Sequence, residues 1–89
     1  MTANEHVTED ALCRWIIRTL ARLVRIDASR LGPETNFAEL GLSSLAAVTL
    51  AADLSDAFGI DVDALVTWDH PTIGGVARAI VSGAAASSG

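Results

Sequence analysis

The chain has 89 residues, 51% apolar and 4% aromatic, which suits one small core and excludes wholesale disorder. Eleven acidic residues stand against six arginines and no lysine, and the net charge of -5 excludes nucleic acid and an anionic membrane surface as partners. A chain this short has little room for a deep enzyme cleft.

In chain order, the first predicted element is a helix from Thr8 to about Arg25. Thr8 can cap it, Glu9 and Asp10 suit its positive end, and Val7 can staple onto Leu12. Leu12, Ile16, Leu20 and Leu23 share one face, and Arg14, Arg18, Arg22 and Arg25 the opposite one. Asp10 lies one turn before Arg14 and can pair with it. Cys13 and Trp15 flank the apolar face. A long connection runs from Ile26 to Ser43, turned at Gly32-Pro33 and pinned by Ile26, Leu31, Phe37, Leu40 and Leu42. Phe37 to Leu40 predicts one helical turn ended by Gly41.

A second helix is expected from Ser44 to Phe58, stopped by Gly59, with Ala47, Leu50, Ala51, Leu54 and Phe58 as its core stripe. Leu45 and Val48 fall beside that stripe. Asp61 to Val66 reads as a short third helix with Asp63 as a possible cap. The last helix begins after Pro71 with Thr72 as cap and ends at Gly83. It repeats Ile73, Val76, Ala77, Ile80 and Val81 at helical spacing, and Gly74 and Gly75 weaken its first turn. The expected fold is all-α: a small four-helix bundle of three longer helices and one short one, with a long first loop. Residues 1–7 and 84–89 are expected to be flexible tails around a domain at 8–83.

The charges are segregated. No arginine or lysine occurs from Leu31 to Ala77, while that stretch holds Glu34, Glu39, Asp53, Asp56, Asp61, Asp63 and Asp69. This acidic surface suits a basic partner, and the first helix carries a positive stripe. Cys13 is the single cysteine, so it has no disulfide partner within the chain, and the implied setting is the reducing cytoplasm. It reads as a small buried residue. Two distant histidines, His6 and His70, do not make a metal site with it. No apolar run reaches bilayer length, and Met1 to His6 lack the start of a secretory signal.

Ser43 and Ser44 stand where a loop becomes a helix. On residue chemistry alone both serve as N-caps, at a position also suited to a phosphodiester because the helix dipole and free N–H groups favour an anion. Gly41-Leu42-Ser43-Ser44-Leu45, followed by an apolar helix, resembles the Gly-x-Asp-Ser-Leu motif of carrier proteins. Leu31 to Phe37, Phe58 to Asp61 and Trp68 to Ile73 are similar to further segments of the same family, in the same order. The resemblance covers roughly the span from Thr8 to Ser82, nearly the whole of the expected folded part.

The resemblance implies that Ser44 receives phosphopantetheine from coenzyme A through a phosphopantetheinyl transferase. The arm would hold acyl groups as thioesters, and the chain would be a non-catalytic acyl carrier serving ketosynthases, acyltransferases and other synthase enzymes. Asp69-His70-Pro71-Thr72-Ile73 is similar to polyketide synthase carrier domains, and Leu42 stands where peptidyl carriers more often have a second glycine. A peptidyl or fatty-acid carrier, or a helical docking domain without the arm, are the alternatives. Ser43 replaces the family's usual Asp and Thr49 a common acidic residue, which removes negative charge from the helix start.

Leu45 and Val48, ringed by Asp53, Asp56, Asp61 and Asp63, form the expected partner surface, with edge packing as the competing role. Trp15 and Trp68 read as packing residues, and Trp68 could line the resting place of an acyl chain. Ser44, His70 and Asp69 do not read as a hydrolase triad, because adjacent Asp and His seldom orient each other. As an isolated domain the chain is expected to be a monomer.

Overall fold

The computed structural model describes residues 7–83. The expected tails and His6 lie outside the described residues, except Val7, which packs against the core. Four helices carry the fold: α1 (Glu9–Val24), α2 (Ser44–Phe58), α3 (Val66–Asp69) and α4 (Ile73–Ser82). The first connection holds two 3-10 turns, Ala28–Arg30 and Phe37–Leu40. Among the described residues there is no strand, only one antiparallel bridge between Asn36 and Thr72. The core is built from Leu12, Ile16 and Leu20 of α1, Leu50 and Leu54 of α2, Val66 of α3, and Ile73 and Val76 of α4.

Local chemistry sets most boundaries. Thr8 Oγ1 accepts from the Ala11 N–H at 3.1 Å, and Thr72 Oγ1 from the Gly75 N–H at 3.0 Å. Gly41, Gly59 and Gly83 end their elements in the left-handed region. Arg25 ends α1 in the same region, at φ 56°, where a side chain costs about 1–2 kcal/mol. Arg25→Gly removes that strain but loosens the unfolded chain, by about 0.4–1 kcal/mol, and gives up a cation at the helix end. The expected result is a small net gain, about 0.5 kcal/mol, read as a thermal midpoint raised by about 2–4 °C. A lower midpoint would show that the arginine's charge outweighs its backbone.

The long connection is held by main chain as well as by apolar anchors. The Phe37 N–H donates to Pro71 O at 2.8 Å, the Ile73 N–H to Thr35 O at 3.1 Å, and the Gly74 N–H to Pro33 O at 2.7 Å. A Cβ on Gly74 would lie 3.0 Å from Pro33 O. The residue that weakens the first turn of α4 therefore also permits the close approach of the loop. With Phe37 buried, this stitching fixes the turn that ends at Gly41 and leads into α2.

Three expectations are corrected. The third helix lies at Val66–Asp69 rather than 61–66. Asp63 Oδ1 accepts from the Leu65 N–H at 2.8 Å and so caps a turn, and the helix starts only after it. Upstream, the Val62 N–H donates to Ser55 Oγ at 3.2 Å, which ties this stretch to α2. Leu23 and Val81 are exposed, whereas Thr19 and Ala79 are buried. Both misplaced residues sit in the last turn of a helix, where the angular position is right but the neighbouring elements no longer cover it.

Candidate functional site

The loop-to-helix junction divides its two serines by geometry. Ser43 is the N-cap of α2, and its Oγ accepts from the Ala46 N–H at 3.1 Å. Its carbonyl takes the Ala47 N–H at 2.9 Å. Ser44 is the first helical residue and is exposed. Among the described residues its hydroxyl makes no hydrogen bond, and the N–H groups of Ser44 and Leu45 have no partner. A free hydroxyl thus sits beside unpaired donors at the positive end of a four-turn helix, an arrangement that fits a phosphodiester. The first turn of α2 carries no acidic residue to oppose it.

Large apolar side chains are exposed on α2 just after Ser44 and on and beside α3. Leu45 is 77% exposed, Val48 40%, Leu65 55% and Trp68 52%. At about 100° per residue, Leu45 points away from the stripe of Ala47, Leu50, Ala51 and Leu54, while Val48 stands at its edge. Trp68 is half out of the protein and lines a hollow of about 230 Å³ with Leu42 and Ala47. Sequence reasoning passed over Leu65. No local signal separates it from Val66, because neighbouring apolar pairs such as Leu50 and Ala51 are both buried in the same core.

The four acidic residues are divided between two elements. Asp53, Asp56 and Asp61 are exposed and Asp63 half-buried. Asp53 lies about 140° around α2 from Val48, on the flank of Ala57. Asp61 and Asp63 belong to the loop before α3. Among the described residues His70 makes no hydrogen bond to Ser44 or Asp69, and no cluster of His, Cys, Asp and Glu could hold a metal ion. No helix of the described residues is long and apolar enough to cross a membrane.

Cys13 is buried in the core, and burial pushes its thiol above the ordinary value, with further upward pressure from the charges of Glu9 and Asp10. At pH 7.5 the unmodified native chain is therefore expected to show no fast-reacting thiol. Rapid stoichiometric labelling by a maleimide would instead place Cys13 at the surface.

Comparison with known proteins adds a family. Residues 14–80 match the family described as "Phosphopantetheine attachment site". The chain is 33% identical over 97 residues to the non-reducing polyketide synthase spyA of Aspergillus fumigatus, an alignment covering 99% of this chain and 5% of that protein. It is 35% identical over 69 residues to a phenolphthiocerol/phthiocerol polyketide synthase of Mycobacterium tuberculosis, over 78% of this chain and 4% of the relative. The chain thus spans only about one-twentieth of the length of these curated relatives. Among solved structures, a free-standing peptidyl carrier protein from Acinetobacter baumannii superposes with a TM-score of 0.80 at 25% identity, covering 89% of this chain and 99% of that one.

Proposed function

Because this chain belongs to the phosphopantetheine attachment-site family and is a non-catalytic carrier domain, we propose that Ser44 bears the arm and that the cargo is a polyketide intermediate. The observation that carries the choice of serine is the division of labour at the helix start. Ser43 commits its hydroxyl to the Ala46 N–H, whereas Ser44 is exposed with its hydroxyl unengaged.

The attached group supplies a terminal thiol that carries acyl units as thioesters. The chain's own residues do the rest. On a phosphopantetheinyl transferase, Ser44 Oγ would attack the pantetheine-side phosphorus of coenzyme A, so that the pyrophosphate breaks, adenosine 3′,5′-bisphosphate leaves and the hydroxyl proton passes to a base of the transferase. The N–H groups of Ser44 and Leu45 and the dipole of α2 favour the ester's negative charge. Gly41, at φ 67°, and the main-chain stitching of the first loop hold the helix start outward. A tether fixed there raises the effective concentration of its cargo at each partner's active site. Leu45 and Val48 supply apolar contact to those partners, with Asp53, Asp56, Asp61 and Asp63 as the acidic surroundings.

The polyketide reading draws on the two synthase relatives and on Leu42, which stands where peptidyl carriers more often have glycine. The structural neighbour favours a second reading, a peptidyl carrier. Offering the armed protein malonyl-coenzyme A with an acyltransferase, and separately an amino acid with ATP and an adenylation enzyme, distinguishes them by intact mass. A malonyl gain alone is expected; an aminoacyl gain alone would make the chain a peptidyl carrier. The cytoplasm is the proposed compartment.

A further inference from the structure

The arginines of α1 take no part in the site on α2. Arg14 is tied to Asp10 at 3.2 Å, but among the described residues Arg18 and Arg22 are exposed and make no ion pair. Beside them lies an apolar hollow of about 750 Å³ between α1 and the end of α2, lined by Ala11, Trp15, Arg18 and Phe58 among others. Trp15 meets Phe58 edge-on, with ring centroids 6.0 Å apart at 72°. A second hollow of about 540 Å³ shares Trp15 and Arg18 and continues to Ala21, Arg22 and Ala28. Together they follow α1 from Ala11 to Arg22, about 16 Å or three helical turns.

We infer that this groove is a second docking face, whose occupant is an acidic amphipathic helix presented by a partner protein. The length matches a helix of three to four turns laid along α1. Trp15, Phe58 and Ala21 offer an apolar floor for its buried side. Arg18 and Arg22, one turn apart, present guanidinium groups to carboxylates at the same spacing. The rest of the surface sharpens the choice. From Leu31 to Ala77 there is no arginine or lysine, so outside α1 and its C-cap Arg25 an acidic partner meets cations only at Arg30 and at Arg78, which pairs with Glu9. A second copy of this chain fits less well, because each copy carries a net charge of -5 and the basic face of one would meet the acidic face of another head to tail, without closure.

The test uses the isotope-labelled, unmodified chain and a synthetic helical peptide with leucine and glutamate at helical spacing. Amide shifts are expected along Ala11 to Arg22 and at Ala57 and Phe58, with those of Ser44 to Val48 unmoved. Arg18→Glu combined with Arg22→Glu should weaken binding at least about tenfold without changing the melting temperature, and Arg18→Lys with Arg22→Lys should keep most of it. Undiminished binding by the glutamate variant, or no binding by millimolar peptide, overturns the proposal. A concentration-dependent dimer that the glutamate variant dissolves assigns the groove to a second copy instead. Preferential binding to anionic vesicles assigns it to a membrane and likewise overturns the proposal. Since no arm is involved, failure here leaves the Ser44 reading untouched.

Discussion

Ser44→Ala is expected to leave the chain at its unmodified mass after incubation with coenzyme A and a broad-specificity phosphopantetheinyl transferase, while the parent gains one phosphopantetheine. The effect is all or none, because the substitution removes the only atom the ester could form on at that position. Its cost to the fold is small: Ser44 is exposed, its hydroxyl bonds nothing among the described residues, and alanine is the better helix former. Ser43→Ala should behave in the opposite way. It removes the cap on the Ala46 N–H, at about 1 kcal/mol, which lowers the melting temperature of a domain this size by about 4–8 °C. The arm should still attach. An intact mass showing loading of the Ser44→Ala protein but not of the Ser43→Ala protein would move the site by one residue. The loaded parent should also expose one fast-reacting thiol, clearly separate from buried Cys13.

What the sequence made legible is what short-range chemistry controls. Thr8 and Thr72 cap their helices because a hydroxyl two or three residues before unpaired N–H groups has a local partner, whatever the remainder of the chain does. Gly41 and Gly59 stop their elements for an equally local reason. The misplaced third helix needed information from outside its own segment, because Ser55 engages the Val62 N–H and Asp63 turns the chain before a helix can start. Gly74 read as a weak point until Pro33 was found packed against it. Periodicity gave the correct angle for Leu23 and Val81 but not the height at which their helices outrun their neighbours. At the site, residue chemistry alone leaves Ser43 and Ser44 equivalent as caps, and the motif spacing favours Ser44. The four aspartates read as one surround belong to two elements, Asp53 and Asp56 to α2 and Asp61 and Asp63 to the loop before α3, and helix spacing alone does not bring the two together.

Two leucines of α2 make the sharpest contrast between fold and function. Leu50 is fully buried in the core, and Leu50→Ala should cost about 2–5 kcal/mol. The whole domain is worth only about 4–13 kcal/mol at typical values per residue, so the melting temperature should fall by about 10–30 °C. Leu45 lies on the same helix but is 77% exposed, and Leu45→Glu should shift stability by no more than about 0.5 kcal/mol. Glutamate is nearly as good a helix former as leucine and suits the positive end of α2. Its penalty should appear in docking. An apolar anchor buried against a partner is worth about 1.5–3 kcal/mol, so kcat/KM for arm attachment should drop about tenfold or more. Calorimetry and transferase kinetics on the two variants separate the roles. If Leu45→Glu instead unfolds the chain as Leu50→Ala does while its folded fraction is loaded normally, Leu45 is a packing residue and the apolar contact patch beside Ser44 does not exist.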